Sequence, residues 1–341
     1  MRSARPVLTM VIDGTANMKI CIYGAGAVGG TIGGVLAEQE QEVSLIARGI
    51  HLEALKTRGC TVETGGRSFT VHLECSENPE DLGIQDCVFI TVKAPAMSDV
   101  ANDIAPLIGP DTLVVTAMNG IPWWFFKDFP EGGPAISLRA LDPDGLVSRK
   151  IPAERVIGCV VHLGATVHEP GIIRHVADNR LIMGEATGGM SNRLKGVVGL
   201  FDPTPLNASA TNNLRHEIWV KLLGNFNFAP ISSLTNASNG EIGADPALRK
   251  LAADMFEEAA AAGSRIGLDP GMTADQRTDL GASMGDFRTS MLQDFERSRS
   301  PEIDAIVGAV VEIGRVTGIP MPLSEGILAL VTQKARELGL Y

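Results

Sequence analysis

Two groups of residues have types and spacings that suit chemistry. The first is a loop near the start of the chain. Gly24, Gly26 and Gly29 stand in G-x-G-x-x-G spacing, with Ala25, Ala27 and Val28 between them, inside KICIYGAGAVGG. The loop follows an apolar, β-prone run and opens a helical pattern. The first glycine allows a tight turn, the second lets backbone approach a pyrophosphate, and the third lets helix pack on strand. The helix then directs its positive end at the phosphates. This predicts a dinucleotide site. The second strand ends in LIARG, so Ala47 and Arg48 stand where an NAD site wants a carboxylate for the ribose hydroxyls. A guanidinium suits the 2′-phosphate of NADP(H) by charge and bidentate geometry, against the plainer reading of a solvent-exposed arginine. Lys93, closing the next buried run in TVKAP, and Asn119, in the Asn119-Gly120 turn, fall at the same carboxyl edge of the predicted sheet. Each also has a bland reading, as a snorkelling lysine and a common turn dipeptide.

The second group lies in the last third. Within NNLRHEIWVKLLGNFNFAP (212–230), Leu214, Ile218, Lys221 and Asn225 fall on one helical stripe. A lysine on such a stripe is expensive unless it lines a cleft or has a partner; the competing reading is a surface pair with Glu217. Further on, Ser300 and Pro301 suit an N-cap and first helical position. Glu302 then lies in the first turn, where the helix dipole alone would favour it.

The elements that must position these groups divide in two. Apolar strand-like runs at 18–23, 42–46, 87–93 and 112–118 alternate with helical patterns at 27–39, 50–58 and 99–108. That alternation implies a doubly wound parallel sheet. Residues 155–184 suggest several short strands with a turn at Pro170-Gly171, and 191–201 a further helix. No strand alternation follows residue 210, and 213–235, 247–266, 301–317 and 323–338 read as helices. The expected fold is therefore α/β: an N-terminal Rossmann-type doubly wound sheet (18–210) and an all-helical C-terminal domain (211–341). Residues 1–17 are expected to be an extension, disordered or preceding the true start.

Composition narrows the class. A chain of 341 residues suits two domains. The net charge of −11 disfavours nucleic acid as a partner. No apolar run reaches the length of a bilayer span, and the first 17 residues lack a signal-peptide core. The five cysteines have no paired spacing and fit no metal site; they read as small buried hydrophobes in a reducing cytoplasm. A homodimer burying an apolar patch of the helical domain is compatible with the sequence but not demanded by it.

Taken together, GAGAVGG, VKA (92–94), the 119–120 NG, WVKLLGN (219–225) and SMLQD…PEID (290–304) resemble the ketopantoate reductase (2-dehydropantoate 2-reductase) family from Met18 onward. The resemblance implies NADPH-dependent reduction of a 2-oxo acid to a 2-hydroxy acid, in pantothenate biosynthesis for the namesake substrate. It implies that Lys221 is the catalytic general acid and that Glu302 is the acidic residue near the cofactor ribose and the active site. It matches Asn119, Asn225, Asn239 and Ser290 to substrate contacts, and Gly24 to Gly29, Arg48, Lys93, Asn119, Ala165 and Glu302 to the cofactor. The chain departs from the family pattern at Ala229, where a second asparagine usually precedes the proline (here Pro230); Asn227, two residues earlier, is the candidate to compensate. MNGIPWWFF adds a bulky run after Asn119, either core packing or a more apolar substrate mouth. Alternatives are a reductase of another 2-oxo acid and a sensor that binds NADP without turnover. Lys221, Asn225, Ser290 and Glu302 together speak against the sensor, which needs none of them. A histidine acid, with His216 the candidate, is the runner-up mechanism.

Overall fold

The structure is a computed structural model that describes residues 18–130 and 136–341. The expected extension 1–17 lies outside the described residues. The elements run β1 (Lys19–Tyr23), α1 (Ala27–Glu38), β2 (Glu42–Ile46), α2 (Gly49–Arg58), β3 (Cys60–Thr64), β4 (Arg67–Val71), β5 (Glu74–Ser76), β6 (Gln85–Ile90), α3 (Met97–Asp103), β7 (Ile108–Thr116), α4 (Leu146–Lys150), β8 (Val156–Glu169), β9 (Ile172–Glu185), α5 (Asn192–Gly199) and β10 (Asn207–Ala210). Helices then follow alone: α6 (Leu214–Thr235), α7 (Asn239–Ala244), α8 (Pro246–Ser264), α9 (Ala274–Ala282), α10 (Ser290–Glu296), a π-helical turn Asp304–Gly308 leading into α11 (Ala309–Thr317), and α12 (Pro322–Glu337).

The sheet order is β4-β3-β9-β8-β7-β6-β1-β2-β5, with β10 beside β9. Strands β5, β2, β1, β6, β7 and β8 are mutually parallel, while β8–β9 and β3–β4 are antiparallel. From β1 the chain goes to β2, crosses to β3 and β4 beyond β9, returns to β5 beside β2, and then fills β6, β7 and β8 on the other side of β1. The reversal makes the carboxyl end of β1 the switch point where such sheets take ligands. Strands buried on both faces explain the near-continuous apolar runs; Ile20, Ile22, Leu45, Phe89 and Val115 share one core with Ile32 and Leu36 of α1.

Two expected elements differ. The 99–108 helix stops at Asp103, because Pro106 cannot continue it and restricts the residue before it. Residues 155–184 are two 14-residue strands rather than several short ones. Register shifts at His162, Gly164 and Val167 break their pairing into shorter stretches, and the hairpin turns at Pro170-Gly171 as expected.

The chain forms two compact units. One holds the described residues up to Val92, Met97–Met118 and Arg149–Leu214; the other holds Lys93–Ala96, the described residues of Asn119–Ser148, and Arg215–Tyr341. Two segments that precede residue 210 thus lie with the second unit. Backbone contacts with the helices explain why they fold with the second unit. Ile121 N–H donates to the Ala305 carbonyl (2.9 Å), and the Glu312 carboxylate accepts from the Arg139 and Ala140 N–H groups (2.9 and 3.0 Å). In the second unit α8 packs on α9, α11 and α12, and α7 on α8 and α9. Trp219, Phe226, Phe228 and Phe256 fill its interior. Among the described residues no helix is long and apolar enough to cross a membrane.

Candidate functional site

In the first unit the glycine loop has the expected shape. Gly24 has φ +104°, and a Cβ there would lie 2.6 Å from Val92 Cγ1. A Cβ on Gly29 would lie 2.4 Å from the Gly24 carbonyl oxygen and 2.8 Å from Ile22 Cγ2. Gly26 is different: it caps α1 in an extended conformation, and a Cβ there would meet nothing within 4 Å. The space above the helix N-terminus is therefore open, while the two outer glycines are wedged in place. Thr91 Oγ1 donates to the Gly24 carbonyl (2.7 Å) and ties the loop to the end of β6. This cradle, with no acidic residue in the first turn of α1, fits a pyrophosphate.

Arg48 is exposed at the N-cap position of α2, just beyond β2, and no ion pair or hydrogen bond holds its guanidinium among the described residues. Ala165 lies in the outer half of β8, opposite His175. Two residues on, Val167 faces Ile173, whose side chain packs where a Cβ of Gly30 would sit.

Sequence reasoning overlooked His51. Its Nδ1 accepts from Gly171 N–H (3.1 Å), so Nε2 carries the proton and donates to the Ala25 carbonyl (2.7 Å). A neutral imidazole thus clamps the glycine loop to the β8–β9 turn. Burial pushes the His51 pKa below its usual 6.5, and the bond to Ala25 only partly opposes this. A depressed histidine pKa stabilises the fold above the unfolded value and loses that contribution as pH falls. Protonation would also set an N–H at Nδ1 against Gly171 N–H. Unfolding followed across pH 7.5 to 5 should show wild type losing more stability below about pH 6.5 than His51→Gln. The difference should stay under about 1 kcal/mol, because the half-buried ring is screened by water. Parallel pH profiles would show that His51 does not clamp the loop.

The second unit gathers Lys93, Asn119, Lys221 and Glu302. Lys221 Nζ donates to Asn119 Oδ1 (2.8 Å), and Asn119 Nδ2 donates to Glu302 Oε2 (3.3 Å). The amide is thereby oriented between an ammonium and a carboxylate. Glu302 Oε1 accepts from Ala94 N–H (3.1 Å). Burial pushes the Glu302 carboxyl upward, against the Ala94 N–H, the Lys93 charge and the Asn119 amide. Lys93 pairs with the buried carboxylate of Asp294, which Arg299 also approaches at 3.6 Å. Asp294 belongs to the quoted SMLQD run, but its pairing with Lys93 was not foreseen.

Glu302 reaches this position differently from the expected first-turn placement. The helix begins only at Ile303, with no side-chain cap, so Ser300 and Pro301 do not open it. Pro301 is buried, and the Glu302 carboxylate serves Ala94 and Asn119 instead of the helix dipole.

Asn225 shares the Lys221 face of α6 one turn on. Glu217, Val220, Lys221, Gly224 and Asn225 are its partly accessible residues, while Ile218, Trp219, Leu222 and Leu223 are buried. Asn239 opens α7 and is buried. Its Nδ2 reaches Met284 Sδ (3.5 Å), and its Oδ1 has no donor among the described residues. Its N–H donates to the Phe287 carbonyl (3.0 Å), which brings the start of α7 to the segment leading into α10, where Ser290 is exposed at the first position. Asn227 does not compensate for Ala229. It lies about 200° around the helix from Asn225, fully buried, with Nδ2 on the Ala252 carbonyl of α8 (3.3 Å). Ala229 is buried two turns beyond Lys221. In the bulky run, Trp124, Phe125 and Phe126 are buried, and Phe125 meets Phe126 and Phe129 edge-on, so these residues are core.

A family model described as ketopantoate reductase PanE/ApbA matches residues 20–188, and the model of its C-terminal part matches residues 213–335. The 2-dehydropantoate 2-reductase of Mesorhizobium japonicum is 41% identical over 95% of this chain and its own full length. The chain belongs to the ketopantoate reductase family. The 2-dehydropantoate 2-reductase of Archaeoglobus fulgidus is 28% identical, covering 92% of this chain and 96% of its own. Among solved structures, that of 2-dehydropantoate 2-reductase from Geobacter metallireducens superposes with TM-score 0.81 at 27% identity, over 92% of this chain and 99% of its own. The expected architecture, a largely parallel sheet followed by helices, is thus that of the ketopantoate reductase family.

Proposed function

We propose that this protein reduces 2-dehydropantoate (ketopantoate) to pantoate with NADPH. The observation that carries the proposal is the Lys221–Asn119–Glu302 chain of hydrogen bonds in a member of this family. Gly24 to Gly29 would hold a nicotinamide dinucleotide, and that cofactor would supply the hydride for the C2 carbonyl. Lys221 does the rest of the chemistry: its ammonium stabilises the negative charge that grows on the C2 oxygen and donates the proton. Asn119 fixes the direction of that ammonium, because its amide is held from the far side by Glu302. Asn225, on the same helical face, and Ser290 orient the remaining polar groups of the acid. With Lys93 tied to Asp294, the ammonium positions that carboxylate as much as it meets the cofactor.

Arg48 supports NADPH over NADH, since it is the exposed, unpaired cation where an NAD site would carry an acid. The test is steady-state oxidation of NADPH and of NADH with ketopantoate beside other branched 2-oxo acids. Wild type should prefer NADPH and ketopantoate. Arg48→Ala should raise KM for NADPH by about 10- to 100-fold and leave that for NADH nearly unchanged. Equal use of the two cofactors by wild type would refute the role of Arg48. Ala229 and the inward-facing Asn227 favour one second reading, a related 2-oxo acid as the true substrate. A clear preference for another acid in the same panel would establish it.

A further inference from the structure

Arg277 is an unassigned cation beside the Lys221 face. It lies in α9, half-buried, and its guanidinium packs onto α6 at Gly224. A Cβ on Gly224 would lie 2.5 Å from Nη2 and 2.7 Å from Cζ, so the glycine leaves the guanidinium the place it occupies, and a larger residue would shift it. Gly224 is three residues after Lys221 and one before Asn225, on the accessible stripe of α6. No carboxylate, carbonyl or hydroxyl accepts from Arg277 among the described residues, and its Nε is buried without a partner. Burial alone lowers its pKa; no neighbouring charge contributes. Asp279, two residues on in α9, pairs with Arg249 instead. A half-buried guanidinium without an acceptor is costly, and it is organised in advance for a planar anion.

We propose that Arg277 is the receptor for the substrate's carboxylate, binding it bidentately while Lys221 addresses the adjacent C2 oxygen. The proposal rests on the reading of the protein as a 2-oxo acid reductase.

The test compares ketopantoate with its lactone, which keeps the C2 carbonyl but has no free carboxylate. Wild type should prefer the acid strongly. In Arg277→Met, KM for ketopantoate should rise about 100-fold, with KM for NADPH unchanged, and the preference for acid over lactone should collapse by a similar factor. Arg277→Lys should recover part of the loss, and added guanidinium should partly rescue Arg277→Ala. Gly224→Ala, which pushes the flexible end of Arg277 away but keeps its charge, should raise KM for the acid in the same direction. An acid-to-lactone preference unchanged in Arg277→Met and Arg277→Lys, beside a wild type that turns over ketopantoate, overturns this inference alone. A wild type that reduces no 2-oxo acid overturns the function beneath it as well.

Discussion

Lys221→Ala is expected to lower kcat/KM for the 2-oxo acid by about 10³- to 10⁴-fold, some 4–5 kcal/mol of transition-state stabilisation. NADPH should bind as in wild type, because the glycine loop belongs to a different unit of the chain. The loss combines an oxyanion left without its cation and a proton left without its donor. Asn119→Ala should fall between wild type and Lys221→Ala, since it leaves the ammonium in place but removes the group that aims it. Single-turnover rates together with NADPH titration measure both quantities. Full activity in Lys221→Ala would remove the lysine from the mechanism. Loss of NADPH binding in that variant would show that the lysine serves the cofactor rather than the carbonyl.

The second large effect separates two glycines three residues apart. Gly29→Ala forces a Cβ to within 2.4 Å of the Gly24 carbonyl oxygen. Backbone must move, and the expected cost is about 2–4 kcal/mol of stability, with dinucleotide binding lost alongside. Gly26→Val places its side chain in open space with an ordinary φ of −74°, so the fold should lose less than about 1 kcal/mol. The new side chain occupies the volume a pyrophosphate needs, and NADPH affinity should fall about 100-fold. Thermal unfolding and NADPH fluorescence titration of the two variants read stability and binding separately. Unchanged affinity in Gly26→Val would mean that the phosphates do not approach the loop there.

Much of the fold was legible because its signals are local. The apolar runs that became β1, β2, β6 and β7, and the glycine spacing between β1 and α1, each depend on neighbours in sequence. The small helices α7 and α9 also carried a local signal that went unread: Ser238 with Glu241, and Thr273 with Gln276, form capping boxes at their starts. The candidate site was legible in its residue types, less so in its wiring. Lys221 stood out as a cation on a stripe that begins apolar with Leu214 and Ile218. Nothing near Glu302 in sequence tells that its partners are Ala94 and Asn119 rather than its own helix. His51 and Arg277 were invisible for the same reason. Each is an ordinary polar residue in a helical stretch until the fold sets it against Ala25 and Gly171, or against Gly224.

The second unit takes two short segments from the middle of the chain, and this bears on how the protein comes off the ribosome. Asn119 is 102 residues from Lys221 and 183 from Glu302. The amide is made early and waits, without its ammonium and then without its carboxylate, until almost the whole polypeptide has emerged. A chain that stops before residue 302 can carry a complete glycine loop, yet it lacks the carboxylate that holds the Asn119 amide from the far side. No single cut of the chain separates the two units, because segments of the second lie between segments of the first.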